Sequence, residues 1–244
     1  WNVPRILKKC RRIITVSDFE LGNIKQKLQL PDSQLKMIYN GYNEWFRPIE
    51  NDKQQYRKYI ADAGYFFFLG NTDPKKNTER TLVAYAKYLE LSEVKRPLLM
   101  ADLDQEYLNG IIERNGIEAI RDHIVIPGYI INSDLPYIYN NAFAFLYTSL
   151  RESFGIPLLE AMACGTPVIT SNKSSMPEIA GHDAILINPE SSDEIALKML
   201  QLERDTDFYQ RQKAVGLERA KLFSWRKTTE NLLRLYEEVY KEIK

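Results

Sequence analysis

"RESFGIPLLEAMACGTPVIT", residues 151–170, sets two glutamates, Glu152 and Glu160, eight positions apart around a loop and a helix start. The apolar run "AFAFLYTS" (142–149) precedes it, and "TPVITS" (166–171) closes it with another. Pro157 fits the first helical position, where its missing N–H costs nothing, and Gly165 suits the left-handed residue just past a helix end. The stretch therefore spells strand, loop, helix, strand. That is the repeating unit of a parallel sheet with right-handed crossovers.

The same alternation extends outward from about residue 64. Short apolar runs at 65–70, 97–101, 123–128, 142–149, 166–171 and 184–189 read as strands covered on both faces. Helical stretches separate them at 78–91, 104–115, 133–141, 157–164, 176–180 and 191–203. Ser133 is placed to cap one of these helices, and "SSDE" (191–194) opens another with acidic residues at its positive end. The expectation is a doubly wound, Rossmann-like α/β domain. The two ends differ. Residues 12–17, 18–28 and 35–43 read as one strand–helix–strand piece, too small for a domain, leading into a crossover near 43–50. Ser224 can cap a long helix whose Trp225, Leu232 and Val239, and likewise Tyr236 and Ile243, recur seven apart as one apolar seam.

Composition narrows the function. The 244 residues carry 33 Lys+Arg against 33 Asp+Glu, which argues against a nucleic-acid binder working by bulk charge. No run of eighteen apolar residues suggests a membrane span. Two distant cysteines, Cys10 and Cys164, read as reduced thiols, and two histidines give a metal site or catalytic triad little material. Trp1 and the basic run "KKCRR" (8–12) could touch an acidic membrane surface, although a solvated helix end is the simpler reading.

In an open parallel sheet, ligands bind beyond the carboxyl ends of strands. The amides of Phe154, Gly155 and Ile156 can face outward there, at the positive end of a helix dipole, a position that suits a phosphate. Gly155 would let the backbone come close to the ligand. Carboxylates are repelled by phosphate, so Glu152 and Glu160 would serve hydroxyls, one on a sugar and one on a ribose. A loop glutamate and a first-turn glutamate are also what helix electrostatics alone would produce. A second loop, "NTDPKKN" (71–77), follows "YFFFLG" and offers Lys75 and Lys76 to the same phosphates. "ADLDQE" (101–106) holds Asp102 and Asp104, but a helix cap explains them better than a metal.

Taken together, these residues resemble the carboxyl-terminal half of a retaining glycosyltransferase of the GT-B fold, in the large family 4 group. The E-x7-E signature of that family is matched by Glu152 and Glu160. "IYNGYNEWFRP" (38–48) resembles its interdomain crossover, "LGNTDPKKN" (69–77) its lysine loop, and "IPGYI" (126–130) with "DLPYIYNNA" (134–142) its nucleobase side. The resemblance implies that Lys76 holds the diphosphate, with Gly70, Asn71 and Lys75 around it. It implies Glu152 at the donor-sugar hydroxyls, with the amides of 154–156 on the distal phosphate and Ser153 among the donor-binding residues, and it makes Glu152 and Lys76 the catalytic candidates. Glu160 would bind the ribose diol, and Gly128, Tyr129 and Ile130 the base. Asn71 stands where many members have an arginine, a loss Lys75 would partly offset.

The division expected is a remnant of an amino-terminal domain and crossover (1–44), a nucleotide-sugar domain (45–224), and a helix bracing the first domain (225–244). The function implied is metal- and cofactor-free transfer of a sugar from a nucleotide diphosphate sugar to a glycan or lipid-linked hydroxyl. The protein would be cytoplasmic, with attachment at the inner membrane surface and self-association through the last helix left open. The isolated chain would be inactive, because most of the acceptor-binding domain is absent. Two rivals remain: a non-catalytic nucleotide-sugar or protein-binding module, and a family-4-like phosphorylase.

Overall fold

The structure, a computed structural model, describes residues 3–50, 54–101 and 103–244, so Trp1 and Asp102 lie outside the described residues. In chain order the helices are α1 (Val3–Leu7), α2 (Asp18–Leu28), α3 (Thr78–Leu91), α4 (Gln105–Asn115), α5 (Leu135–Asn141), α6 (Ile156–Ala163), α7 (Met176–Ala180), α8 (Ser192–Arg204), α9 (Thr206–Ala220) and α10 (Trp225–Ile243). The strands are β1 (Ile13–Thr15), β2 (Leu35–Met37), β3 (Tyr65–Phe68), β4 (Leu98–Met100), β5 (Ile124–Val125), β6 (Ala142–Tyr147), β7 (Val168–Ser171) and β8 (Ile185–Ile187).

The four aromatic residues of β3 show why this sheet needs cover on both sides. Successive side chains of a strand point to opposite faces. Tyr65 and Phe67 pack in one core with Tyr139 of α5, Leu158 of α6 and Ile179 of α7. Phe66 and Phe68 pack in the other with Leu82 of α3, Ile111 of α4 and Met199 of α8. Each such ring removed from water contributes about 1.5–3 kcal/mol. All pairings are parallel, in the order β5-β4-β3-β6-β7-β8. The order reverses between β3 and β6, where Phe67 pairs with Phe145. A crevice opens beyond the carboxyl ends of two strands that diverge in this way.

Several helix starts follow local rules. Ser17, Asp104, Ser191 and Ser224 each accept the amide three residues on. Ser133 does not cap α5. The cap position falls on Asp134, whose carboxylate turns inward to Lys58 Nζ at 3.0 Å and Tyr59 Oη at 2.9 Å. The helix of the opening stretch begins at Ile156, so Pro157 is its second residue.

α9 lies in 204–223, a stretch without an evident strand or helix pattern in the sequence. Its buried positions are Gln212, Gly216 and Ala220, with Gly216 lying against Met162 of α6, so it carries no large apolar stripe. The amino-terminal strand–helix–strand piece is real: β1 and β2 pair parallel over a small core of Ile13, Leu30 and Leu35. α10 crosses back onto it, with Thr228 Oγ1 donating to the Tyr39 carbonyl at 2.7 Å. The seam expected on α10 is divided. Leu235 is buried and Leu232 and Val239 are half-buried, whereas Trp225, Tyr236 and Ile243 are exposed, along with Leu233 and Tyr240.

Candidate donor-binding site

The lysine loop leaves β3 through Gly70, where an added Cβ would strike the ring of Phe68. Two side-chain turns then shape it: Asn71 Oδ1 accepts the Asp73 amide at 2.8 Å, and Asp73 Oδ1 accepts the Lys75 amide at 2.9 Å. A short 3-10 turn, Pro74–Lys76, ends at Asn77, a buried residue in the left-handed region (φ 60°). Asn77 Nδ2 donates to the carbonyls of Thr148 (3.1 Å) and Pro189 (2.6 Å), and the Leu150 amide donates to the Lys75 carbonyl at 2.7 Å. These bonds fasten the loop after β3 to the loop after β6, across the reversal of the sheet, and to the segment after β8.

The fastening sets Lys76 beside Glu152. Lys76 Nζ lies 2.7 Å from Glu152 Oε1, with the two side chains 25% and 17% exposed. The phenol of Tyr147, the last residue of β6, is close enough to Glu152 to feel its charge, and the Lys76 ammonium lies 5.5 Å from its ring centre. Burial and Glu152 push the Tyr147 phenol upward, so it stays protonated. Lys75 takes a different course: its side chain is 63% exposed and its ammonium lies 3.9 Å from Asp73 Oδ2.

At the start of α6, the amides of Phe154, Gly155 and Ile156 have no hydrogen-bond acceptor among the described residues. Gly155 is required there by the protein's own packing. Its φ is +101°, and a Cβ would meet Met176 Cε at 2.8 Å and Tyr147 Cε1 at 3.3 Å, so the crowding comes from the protein itself. Glu160 lies one turn on, half-buried, with Tyr139 Oη donating to its Oε2 at 3.4 Å. Burial raises its carboxyl to about 7, which the Tyr139 hydrogen bond only partly opposes.

A cleft of about 310 Å³ adjoins the lysine loop, lined by Leu69, Gly70, Asn71, Lys76, Ala101, Tyr129, Ile130, Asn132 and Leu135. It gathers five of the residues expected from sequence at the phosphate and base, with Ile130 buried in its wall and Tyr129 exposed at its side. Gly128, in a left-handed turn (φ +82°), precedes them. Glu152 joins this cleft through its bond to Lys76, while Glu160, Ser153 and the 154–156 amides are not part of its lining. Sequence reasoning missed Tyr139 and Tyr147, the phenols against the two glutamates, and Asn132. Tyr147 was findable as the last residue of a strand feeding the site, while Tyr139 reads as ordinary helix core. No group of three or more His, Cys, Asp or Glu that could hold a metal occurs among the described residues.

The parallel sheet with its reversal between β3 and β6, and the long helix crossing back, are the GT-B arrangement seen in solved structures. A structure of sucrose-phosphate synthase from Thermosynechococcus elongatus superposes with a TM-score of 0.83 at 22% identity, covering 98% of this chain and 61% of that one. Anabaena HepE, solved in complex with UDP and glucose, also gives 0.83, at 18% identity, over 96% of this chain and 66% of that one. The family description "Glycosyl transferases group 1" matches residues 49–219, and the chain belongs to that family. O-antigen chain mannosyltransferase B of Escherichia coli is 31% identical over 238 residues, 94% of this chain and 61% of that protein. The chain thus spans 61% of the length of that relative.

Proposed function

We propose that this chain supplies the donor-binding half of a retaining glycosyltransferase that moves a sugar from a nucleotide diphosphate sugar to an acceptor hydroxyl. The observation that carries the proposal is the Lys76–Glu152 pair at the sheet reversal, with Lys76 in the wall of the cleft and three unpaired amides two to four residues after Glu152. Lys76 and the amides neutralise the diphosphate, so no metal or other cofactor is needed. Glu152 accepts hydrogen bonds from the donor sugar and Glu160 from the ribose diol, each as a charged acceptor. The base lies against Gly128, Tyr129 and Ile130. Mannose is the sugar the proposal favours, from the name of the Escherichia coli relative.

A glycan or lipid-linked acceptor, held mainly by parts of the protein beyond this chain, belongs to the same proposal. So do a cytoplasmic site of action, contact with the inner membrane surface, and self-association through α10. No helix among the described residues is long and apolar enough to cross a membrane. Transfer requires donor and acceptor held together in attack geometry, and the proposal assigns the donor side of that geometry to these residues.

Calorimetric titration with GDP-mannose, UDP-glucose and the bare diphosphates tests the assignment. Lys76→Ala removes a charge-assisted contact and should weaken binding by about 1.5–3 kcal/mol. Equal affinity in parent and mutant would refute it.

A further inference from the structure

Glu152 is held on both flanks, and half of what holds it comes from α2, outside the six-stranded unit. Within that unit, Ser174 Oγ accepts the Glu152 amide at 3.1 Å, and Ser175 Oγ shares its one hydrogen between the carbonyls of Glu152 (2.9 Å) and Phe154 (3.3 Å). From the opposite side, Ser17 Oγ donates to the Ser153 carbonyl at 2.7 Å while accepting the Glu20 amide at 3.2 Å. A hydroxyl has one hydrogen to give, and Ser17, fully buried, gives it to this loop.

The Glu20 carboxylate accepts Ser153 Oγ at 3.2 Å and Arg151 Nη2 at 3.1 Å. Both chain neighbours of Glu152 are therefore bound to the first turn of one helix. α2 is seated in turn by Glu178 of α7, whose carboxylate accepts the amides of Asp18 (2.8 Å) and Phe19 (3.2 Å) at the positive end of the helix. An exposed Arg–Glu pair by itself contributes little. Glu20 differs because its side chain is only 16% exposed and it binds the loop at two points astride one residue.

We propose that Ser17 and Glu20 are positioning residues for Glu152: by fixing residues 151 and 153 they set the direction in which the Glu152 carboxylate meets the donor sugar. The inference rests on the sugar-binding reading of Glu152 given above. Its physical basis is that a loop residue free to swing loses alignment, and a displacement of about 1 Å can cost on the order of a hundredfold in rate. The amino-terminal strand–helix–strand piece thereby completes the donor site without entering the cleft.

The test compares, for the 244-residue chain, the ratio of affinities for GDP-mannose over GDP and for UDP-glucose over UDP. Glu20→Ala and Ser17→Ala should lower the ratio several-fold and leave the bare diphosphate affinity unchanged, whereas Ser17→Thr, which keeps the hydroxyl, should restore it. Glu152→Gln should lower the ratio by itself, and adding Glu20→Ala to it should lower it no further. In the unliganded chain, amide hydrogen exchange across 151–156 should accelerate in Glu20→Ala and Ser17→Ala but not in Ser17→Thr. A Glu20→Ala effect that is equal on both ligands, that persists in the Glu152→Gln background, or that leaves exchange at 151–156 unchanged would overturn the inference. A parental ratio in Glu152→Gln would instead remove Glu152 from the sugar, and the inference would fall with it.

Discussion

At the scale of single residues, the two signature glutamates occupy opposite environments. Glu152 faces an ammonium, while Glu160 faces a phenol in a half-buried setting that lifts its carboxyl from 4.5 to about 7. Between those values the folded chain holds a proton that the unfolded chain has released, so stability falls as pH rises through this window. The cost is complete above pH 7. Glu160→Gln should therefore stabilise the unliganded chain at pH 8, on the order of 1–3 kcal/mol, and change little at pH 4. Urea midpoints at the two pH values check this, and equal shifts would remove Glu160 as the cause. If the ribose diol binds the carboxylate, binding expels the proton, so ribonucleotide affinity should weaken as pH falls below 7. A 2′-deoxy analogue should show the weaker dependence. The spacing of the two glutamates was legible in the sequence. Their surroundings were not, because Tyr139 of α5 faces Glu160, and the partner of Glu152 lies 76 positions away in the chain.

At the scale of elements, what was legible was what is local. Caps at Asp104, Ser191 and Ser224 depend only on residues three apart, and they form as expected. The Ser133 cap failed because a non-local pair, Lys58 and Tyr59, orients Asp134 instead. α9 escaped notice because close packing of small residues, not an apolar stripe, holds it against α6. The crossover shows the same dependence on distant contacts. Gly41 lies against the start of α10, and a Cβ there would meet Trp225 N at 2.0 Å and Ser224 C at 2.3 Å. These are backbone atoms without a rotamer to change. Gly41→Ala should destabilise on the order of 3 kcal/mol or more and loosen α10 in particular, read as faster hydrogen exchange at 225–244. Unaltered exchange there would show that the crossover and the helix are not coupled.

At the scale of the whole molecule, α10 carries more apolar surface than the small β1–β2 unit covers. Leu233, Tyr236, Tyr240 and Ile243 are each more than half exposed and recur at intervals of three and four, which lines them up along one side of the helix. Each would contribute up to about 1.5–3 kcal/mol if removed from water. The chain should therefore pair with a second copy at high concentration. Sedimentation across a concentration series measures this, with Leu233→Glu/Tyr240→Glu as the variant expected to stay monomeric. A strict monomer at millimolar concentration would refute the pairing. The residues chosen differ from the seam read from sequence, since heptad spacing identifies an apolar helix but not which of its two adjoining stripes finds cover.

Alternation of short apolar runs with capped helices was enough to determine a parallel, doubly wound sheet, because each run, turn and cap is specified by residues within a few positions of one another. The motif "RESFGIPLLE" likewise put Glu152 and the start of α6 just past a strand end, since that placement follows from the strand–loop–helix order alone. The pairing of Lys76 with Glu152, the phenols of Tyr139 and Tyr147, and the grip of Ser17 and Glu20 on the Glu152 loop arose only in three dimensions. Those contacts join segments far apart in the chain, and their geometry depends on the strand order and on the seating of α2 against α7, neither of which any local stretch encodes.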